Sequence, residues 1–351
     1  MQKTRRVKIV TGLKCNIQCV FCYYRDNLNA PNRTFDEIKK DLLYAKKRGV
    51  IEVDFSGGEP TVHPELPLLI ETAKSLGMER ICIISNGFRL ADKKYIKSLK
   101  DSGLDEILFS LHGSTPEIHD SLTNITGSFE RISQALNNAA EENIKIRTNT
   151  VVNRMNYKDL AGVSAFIKTF DPIQVNFITI NDWCFAKHLV DKFMLRYPEM
   201  SPMLKEACDM LYPRIETVNV RYIPFCFMEG YERFVCNHKQ VMYDPFEWVP
   251  AVRSRLEVQN NLLRYLGILS YGFLAGGVFK NAFRTSLSDM LDESIVEALR
   301  HWFYKKGTQC KKCKFDKICD GVENTYAKEF GLHELSPDQG EKIIDPVFFR
   351  K

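Results

Sequence analysis

Between Val7 and Ile180 short apolar runs alternate with longer amphipathic ones, and no other feature of the sequence limits the fold so tightly. Val7–Thr11, Val50–Phe55, Arg80–Ser85, Glu106–Leu111, Lys145–Val152 and Ile173–Ile180 read as strands. Asp36–Arg48, Leu66–Leu76, Lys93–Leu99, Ser128–Glu142 and Tyr157–Phe170 read as helices. In the first of these, Ile38, Leu42, Leu43 and Ala45 fall at helical spacing, and Gly49 stops it. Strands separated by helices imply parallel pairing with right-handed crossovers. The expected fold is therefore α/β: a partial (β/α)6 TIM-like barrel over residues 1–215, with a cysteine-rich extension over 216–351. In such a fold chemistry gathers at the C-terminal ends of the strands. Polar residues collect there: Lys14 onward, Ser56-Gly57-Gly58-Glu59, Ser85-Asn86-Gly87, Ser110 with His112, Asn149, and Asn181-Asp182.

The eleven cysteines are unevenly spread. Three lie in Cys15–Cys22 and three in Cys310–Cys319, with Cys226 and Cys236 between; Cys82, Cys184 and Cys208 are isolated and read as buried core thiols. The N-terminus lacks the marks of a signal peptide, so a cytoplasmic location is expected and close thiol pairs argue for metal rather than disulfides. Cys15-x3-Cys19-x2-Cys22 puts three thiolates in an eight-residue loop. Such a loop can grip three irons of a [4Fe-4S] cube and leave the fourth open. A zinc ion would normally want four ligands, and the nearest histidine, His63, lies beyond the second strand. The formal charge of +5 is weak evidence for a polyanion, so no nucleic-acid partner is expected. The longest uncharged stretch, Tyr265–Phe279, is fifteen residues, too short to cross a bilayer comfortably. It reads as a buried helix or cavity wall, with a substrate lid or membrane-touching surface as the alternative; no transmembrane segment is expected.

The Cys15-x3-Cys19-x2-Cys22 motif, with Phe21 before its last cysteine and Gly57-Gly58-Glu59-Pro60 after the second strand, resembles the radical S-adenosylmethionine superfamily. The resemblance covers roughly residues 7 to 180. It implies a [4Fe-4S] cluster whose open iron binds S-adenosylmethionine, and reductive cleavage to a 5′-deoxyadenosyl radical that takes hydrogen from a substrate. It further implies that main-chain oxygens of Gly57 and Gly58 receive the cofactor's ammonium, with Glu59 as a further contact. The Phe21 backbone would meet the adenine, Ser110 the ribose or carboxylate, and Asn149 the ribose. Arg147 shares a strand face with Asn149 and is a candidate for the carboxylate; pairing with a nearby Asp or Glu is its alternative. His112 is read either as a ligand of cofactor or substrate, or as a cap of its turn.

The second cysteine group, Cys310-x2-Cys313-x5-Cys319 with Cys226 upstream, resembles the auxiliary-cluster extensions of the same superfamily known as SPASM and twitch. The two-cluster form wants a further cysteine, but residue 323 is Glu323 and no cysteine follows Cys319. One auxiliary [4Fe-4S] cluster on Cys226, Cys310, Cys313 and Cys319 is therefore expected, with Cys236 free or replacing one of them. A structural zinc site is the alternative. Lys311, Lys312, Lys314 and Lys317 crowd this loop, as stabilisers of a reduced cluster, as a docking face for a flavodoxin or ferredoxin, or as plain solvated lysines. Val218–Tyr222 reads as a hairpin strand, Ser286–Lys305 as a helix, and Tyr326 to Pro337 as a segment closing over the cluster. Asp182, Trp183, Arg221 and Tyr222 are the candidates for substrate contact or proton handling, or else interface packing.

The expected protein is an oxygen-sensitive radical enzyme, an oxidoreductase or peptide-modifying maturase. Modification of a peptide is the first reading, with a separate recognition protein as a possible helper. Dehydrogenation or rearrangement of a sugar, nucleoside or lipid, with the auxiliary cluster as electron acceptor, is the second. A non-enzymatic electron carrier or scaffold is a third, and does not explain an open-iron loop beside Gly57-Gly58.

Overall fold

The computed structural model describes residues 3–22, 24–180, 192–257, 270 and 287–350. Asp182, Trp183, Cys184 and Tyr265–Phe279 lie outside them. Two compact units make up the chain: Ile9–Lys46 with Ile51–Arg221, and Met1–Lys8 with Lys47–Val50 and Tyr222–Lys351.

The fold is a curled, seven-stranded half-barrel with flanking helices. Its strands are β1 (Arg6–Val10), β2 (Glu52–Ser56), β3 (Arg80–Ser85), β4 (Glu106–Ser110), β5 (Lys145–Val152), β6 (Gln174–Thr179) and β7 (Val218–Arg221), in that order across the sheet. Every pairing from β2 to β7 is parallel. The crossovers contain α1 (Phe35–Lys47), α2 (Leu66–Ser75), α3 (Lys93–Asp101), α4 (Pro116–Thr123), α5 (Ser128–Glu141) and α6 (Leu160–Lys168). Ile38, Leu42, Leu69, Ile70, Ile96 and Leu99 are the buried stripes of the first three. Asp92 caps α3, its side chain accepting the N–H groups of Lys94 and Tyr95.

The strand pattern has period two. Val53, Phe55, Ile81, Ile83, Ile107, Phe109, Val175 and Phe177 are buried on one face. Asp54, Glu106, Arg147, Gln174, Asn176 and Asn219 are buried on the other, so one side of the half-barrel is polar within. Val218–Tyr222, expected as a hairpin strand, is corrected by the structure. Val218–Arg221 joins β6 in parallel as the seventh strand, pairing Asn176 with Asn219. Its crossover contains the helix Tyr197–Leu211, which the sequence hides behind Pro198 at its start and Pro202 inside it.

In the other unit a helix spans Leu287–Phe303, Tyr304–Lys305 pairs antiparallel with Val322–Glu323, and Asn324–Phe330 is helical. No described helix is long and apolar enough to cross a membrane.

Candidate functional site

The loop after β1 and the loop after β2 are knitted into one object. Thr11 N–H donates to Ser56 O (2.8 Å), Gly58 N–H to Gly12 O (2.9 Å) and Glu59 N–H to Lys14 O (2.9 Å). A Cβ on Gly57 would lie 2.1 Å from Gly12 O, and one on Gly58 2.2 Å from Lys14 O. The glycine pair is thus demanded by the chain's own backbone approaching itself. Cys15, Cys19 and Cys22 are all partly buried on this loop, and Cys22 N–H donates to Cys19 O (3.0 Å). Burial pushes the Cys15 thiol up to about 12, and raises Cys19 and Cys22 as well. Neighbouring thiols push Cys19 further. Such a set favours thiolate only when a cation takes the place of the protons, which fits iron.

Glu59 is fully engaged by protein donors. One carboxylate oxygen accepts Thr61 N–H (3.1 Å), Thr61 Oγ1 (2.7 Å) and Ser85 Oγ (2.9 Å). The other accepts Asn86 N–H (2.8 Å). Burial raises its pKa against these hydrogen bonds. Asn86 in turn donates from Nδ2 to Asn16 Oδ1 (2.8 Å) and towards Cys15 Sγ (3.8 Å). The sequence puts Ser85-Asn86-Gly87 on the rim but assigns Asn86 no contact. The signal that could have found it is a buried Glu59 in need of donors.

Phe21 is buried and meets the His112 ring edge-on, 4.8 Å between centroids. His112 Nδ1 accepts Val151 N–H (3.3 Å), and its own N–H donates to His119 Nδ1 (3.2 Å). Both imidazoles are buried: desolvation holds His112 well below its usual pKa and His119 at about 4.

The register aligns Ser110, Asn149, Asn176 and Asn219 across β4 to β7. Asn219 Nδ2 donates to Asn176 Oδ1 (2.9 Å), and Asn176 Nδ2 to Asn149 Oδ1 (2.7 Å). Arg147 lies one step earlier on this face and is 1% exposed. Its guanidinium meets Asp54 (3.3 Å), Glu106 (3.4 Å) and Gln174 Oε1 (3.0 Å), so the geometry is that of pairing with nearby acids. Cys82 Sγ is 3.5 Å away, in an ionic cluster rather than an apolar one. Arg221, two residues beyond Asn219, is buried, and its carbonyl accepts Thr179 Oγ1 (3.1 Å).

In the other unit Cys226, Cys310, Cys313 and Cys319 line one recess with Phe225, Phe315 and Leu335. Gly321 N–H points at Cys319 Sγ (3.4 Å). Cys236 is fully buried and does not line the recess; its Sγ lies 3.7 Å from Asp244 Oδ2. Burial pushes Cys226 up to about 12, with the other three thiols adding to the rise. Among the described residues no three His, Cys, Asp or Glu side chains converge on a single-ion site. Four thiols lining one recess are a ligand set that a [4Fe-4S] cluster would accept. Tyr222 is half-buried with φ 63°, and its N–H donates to Asn237 Oδ1 (2.8 Å). Its ring is 5.7 Å from that of His238, which hydrogen-bonds Asp320 (2.8 Å).

The profile of the radical SAM superfamily matches residues 9–167. The Fe-coproporphyrin III synthase of Methanosarcina barkeri is 32% identical over 152 residues, 43% of this chain and 37% of that protein. The GTP 3′,8-cyclase of Aquifex aeolicus is 29% identical over 187 residues, 50% of this chain and 58% of that protein. The chain thus spans about half the length of the curated relatives it matches. Streptococcus suis SuiB, solved bound to precursor peptide SuiA, superposes with a TM-score of 0.60 at 16% identity, over 98% of this chain and 76% of that one. The anSMEcpe structure with bound AdoMet and Cp18Cys peptide gives 0.56 at 16% identity, over 95% and 93%. At such identities the likeness is one of fold. A domain of this family implies S-adenosylmethionine and iron–sulfur cofactors. Residues 9–167 are thus a radical SAM domain, its thiol loop hydrogen-bonded to its glycine loop, and the chain continues into further C-terminal structure that resembles SuiB in fold.

Proposed function

We propose that this chain is a radical S-adenosylmethionine enzyme that carries two [4Fe-4S] clusters and modifies a peptide. The observation that carries the radical reading is the bonding of the Cys15–Cys22 loop to Gly57-Gly58-Glu59. Three thiols and a run of close-packed main chain are thereby held together. When bound there, the cluster and S-adenosylmethionine supply a reductive cleavage whose 5′-deoxyadenosyl radical abstracts hydrogen.

The chain's own residues would then do the following. Cys15, Cys19 and Cys22 hold iron. Gly57 and Gly58 offer main-chain oxygens to the cofactor's ammonium, and the Phe21 backbone faces the adenine. Ser110 and Asn149 meet the ribose or carboxylate; Asn149 gains support from the amides that donate towards it. Arg147 and Glu59 act behind these contacts, since protein partners already occupy both. Cys226, Cys310, Cys313 and Cys319 hold the second cluster, which serves substrate turnover. Lys305, Lys311, Lys312 and Lys317 near it are exposed and have no acidic partner among the described residues. They would suit an acidic flavodoxin or ferredoxin.

Support for a peptide comes from fold shared along nearly the whole chain with two enzymes solved with peptides. The second reading, a small molecule, is favoured by the names of the curated relatives, which make Fe-coproporphyrin III or cyclise GTP but match half of the chain or less. The test is to offer the reduced, reconstituted enzyme fully deuterated peptides, and in parallel deuterated nucleotides and porphyrins. Deuterium in 5′-deoxyadenosine from peptides alone is expected. Label from the small molecules alone would sink the peptide assignment.

A further inference from the structure

The contacts of Asn86 have no place in the chemistry assigned so far, yet its neighbours fix which way its carboxamide faces. Phe88 N–H donates to its Oδ1 (3.0 Å). Its own N–H is held by Glu59 Oε2 (2.8 Å). Turning the amide over would set Oδ1 against Asn16 Oδ1 and Nδ2 against the Phe88 N–H, like facing like in both places. Nδ2 therefore faces Asn16 Oδ1 and Cys15 Sγ. Glu59, buried and saturated with donors, anchors the turn that carries this amide.

We infer that Asn86 is a built hydrogen-bond donor to the Cys15 thiolate that raises the reduction potential of the cluster on the Cys15–Cys22 loop, with Glu59 as its positioning residue. The inference rests on the reading that Cys15 ligates that cluster. A reduced cluster carries one more negative charge on its sulfurs than an oxidised one. An N–H aimed at a ligand sulfur therefore stabilises the reduced state more, and the potential moves up. The same geometry explains why an acid stands beside a site that must accept an electron. Glu59's charge is spread over four donors, and one of the groups it fixes points a positive dipole at the sulfur.

The test is an EPR-monitored redox titration of the full-length, anaerobically reconstituted protein. The signal followed is the one that changes on adding S-adenosylmethionine, which separates this cluster from any other. Asn86→Leu has a similar branched shape and removes the donor. Its midpoint should lie below that of the wild type at equal iron content. Formation of 5′-deoxyadenosine should drop with a weak reductant and recover with excess strong reductant. Asn86→Asp can still accept the Phe88 N–H and so preserve the turn, but cannot donate. It should shift the midpoint the same way, and carries the test if the leucine variant does not load. An unmoved midpoint in whichever variant holds its cluster would overturn the inference. So would failure of both to hold one, because Asn86 would then be a folding residue. A wild type with no S-adenosylmethionine-responsive signal would overturn the assignment of Cys15 itself, and the role of Asn86 with it.

Discussion

Acidification should cost this protein stability through His119, and His119→Gln should remove that share of the cost. His119 is 1% exposed on α4, with its Nδ1 accepting the His112 N–H and its ring 5.9 Å from that of Phe129. Burial holds its pKa at about 4 against an ordinary 6.5. The folded value is the lower one, so at high pH the residue is neutral in both states and contributes no penalty. As pH falls through 6.5 the unfolded chain takes up the proton first, and the folded state loses ground until the pH reaches about 4. At ~1.4 kcal/mol per pH unit the loss between about pH 8 and about pH 5 is about 2 kcal/mol, rising to about 3 kcal/mol below the folded value. The assay is urea unfolding of wild type and His119→Gln, handled alike without oxygen, at both pH values. Glutamine is polar and carries no titrating group. The wild type should lose about 2 kcal/mol more than the variant between the two conditions. His112, buried in both proteins, cancels in the comparison to first order. Equal acid sensitivity would refute the claim that this imidazole is kept neutral by burial.

Iron analysis of the reconstituted wild type should give about eight atoms per chain. Cys15, Cys19 and Cys22 changed together to Ala should retain about four and make no 5′-deoxyadenosine under strong reduction. Changing Cys310 and Cys313 to Ala should spare 5′-deoxyadenosine formation far more than product formation; equal losses in a folded protein with its first cluster intact would contradict that division. Arg147→Met takes from Asp54 and Glu106 the buried cation they share and should destabilise by about 3–5 kcal/mol in urea unfolding. Gly58→Ala drives a Cβ into Lys14 O, and should cost the first site its iron while the second keeps its own.

The barrel was readable because apolar period and glycine stops agree through Ile180, and six of the seven strands were found within two residues. β7 was misread because four residues of Val-Asn-Val-Arg carry little pattern, and because Pro202 disguises the helix that leads into it. α4 was missed for a related reason, being eight residues long and opened by Pro116. The four thiols brought together in one recess include Cys226, which lies far from the others in sequence; family pattern suggested it, and spacing alone did not. Arg147 shows the limit of a face argument. Sequence says that it points the same way as Asn149, but not that Asp54, on a strand three crossovers away, has already claimed its charge. Asn86 was invisible for the same cause, since its partners Glu59, Asn16 and Phe88 come from three separate loop stretches.

The amides of Asn219 and Asn176 both hand their hydrogens in one direction, towards Asn149 on β5. A carboxylate can receive but cannot hand on, so hydrolysis of one side-chain amide in this relay would break its sense of direction. Loss of ammonia at Asn176 would give Asn149 an acceptor as its neighbour. Asn149 would then turn its NH2 inward to meet it and present oxygen outward, where it had presented hydrogen. Chemical ageing of a group that touches no ligand would thus reverse the polarity of one that faces the rim.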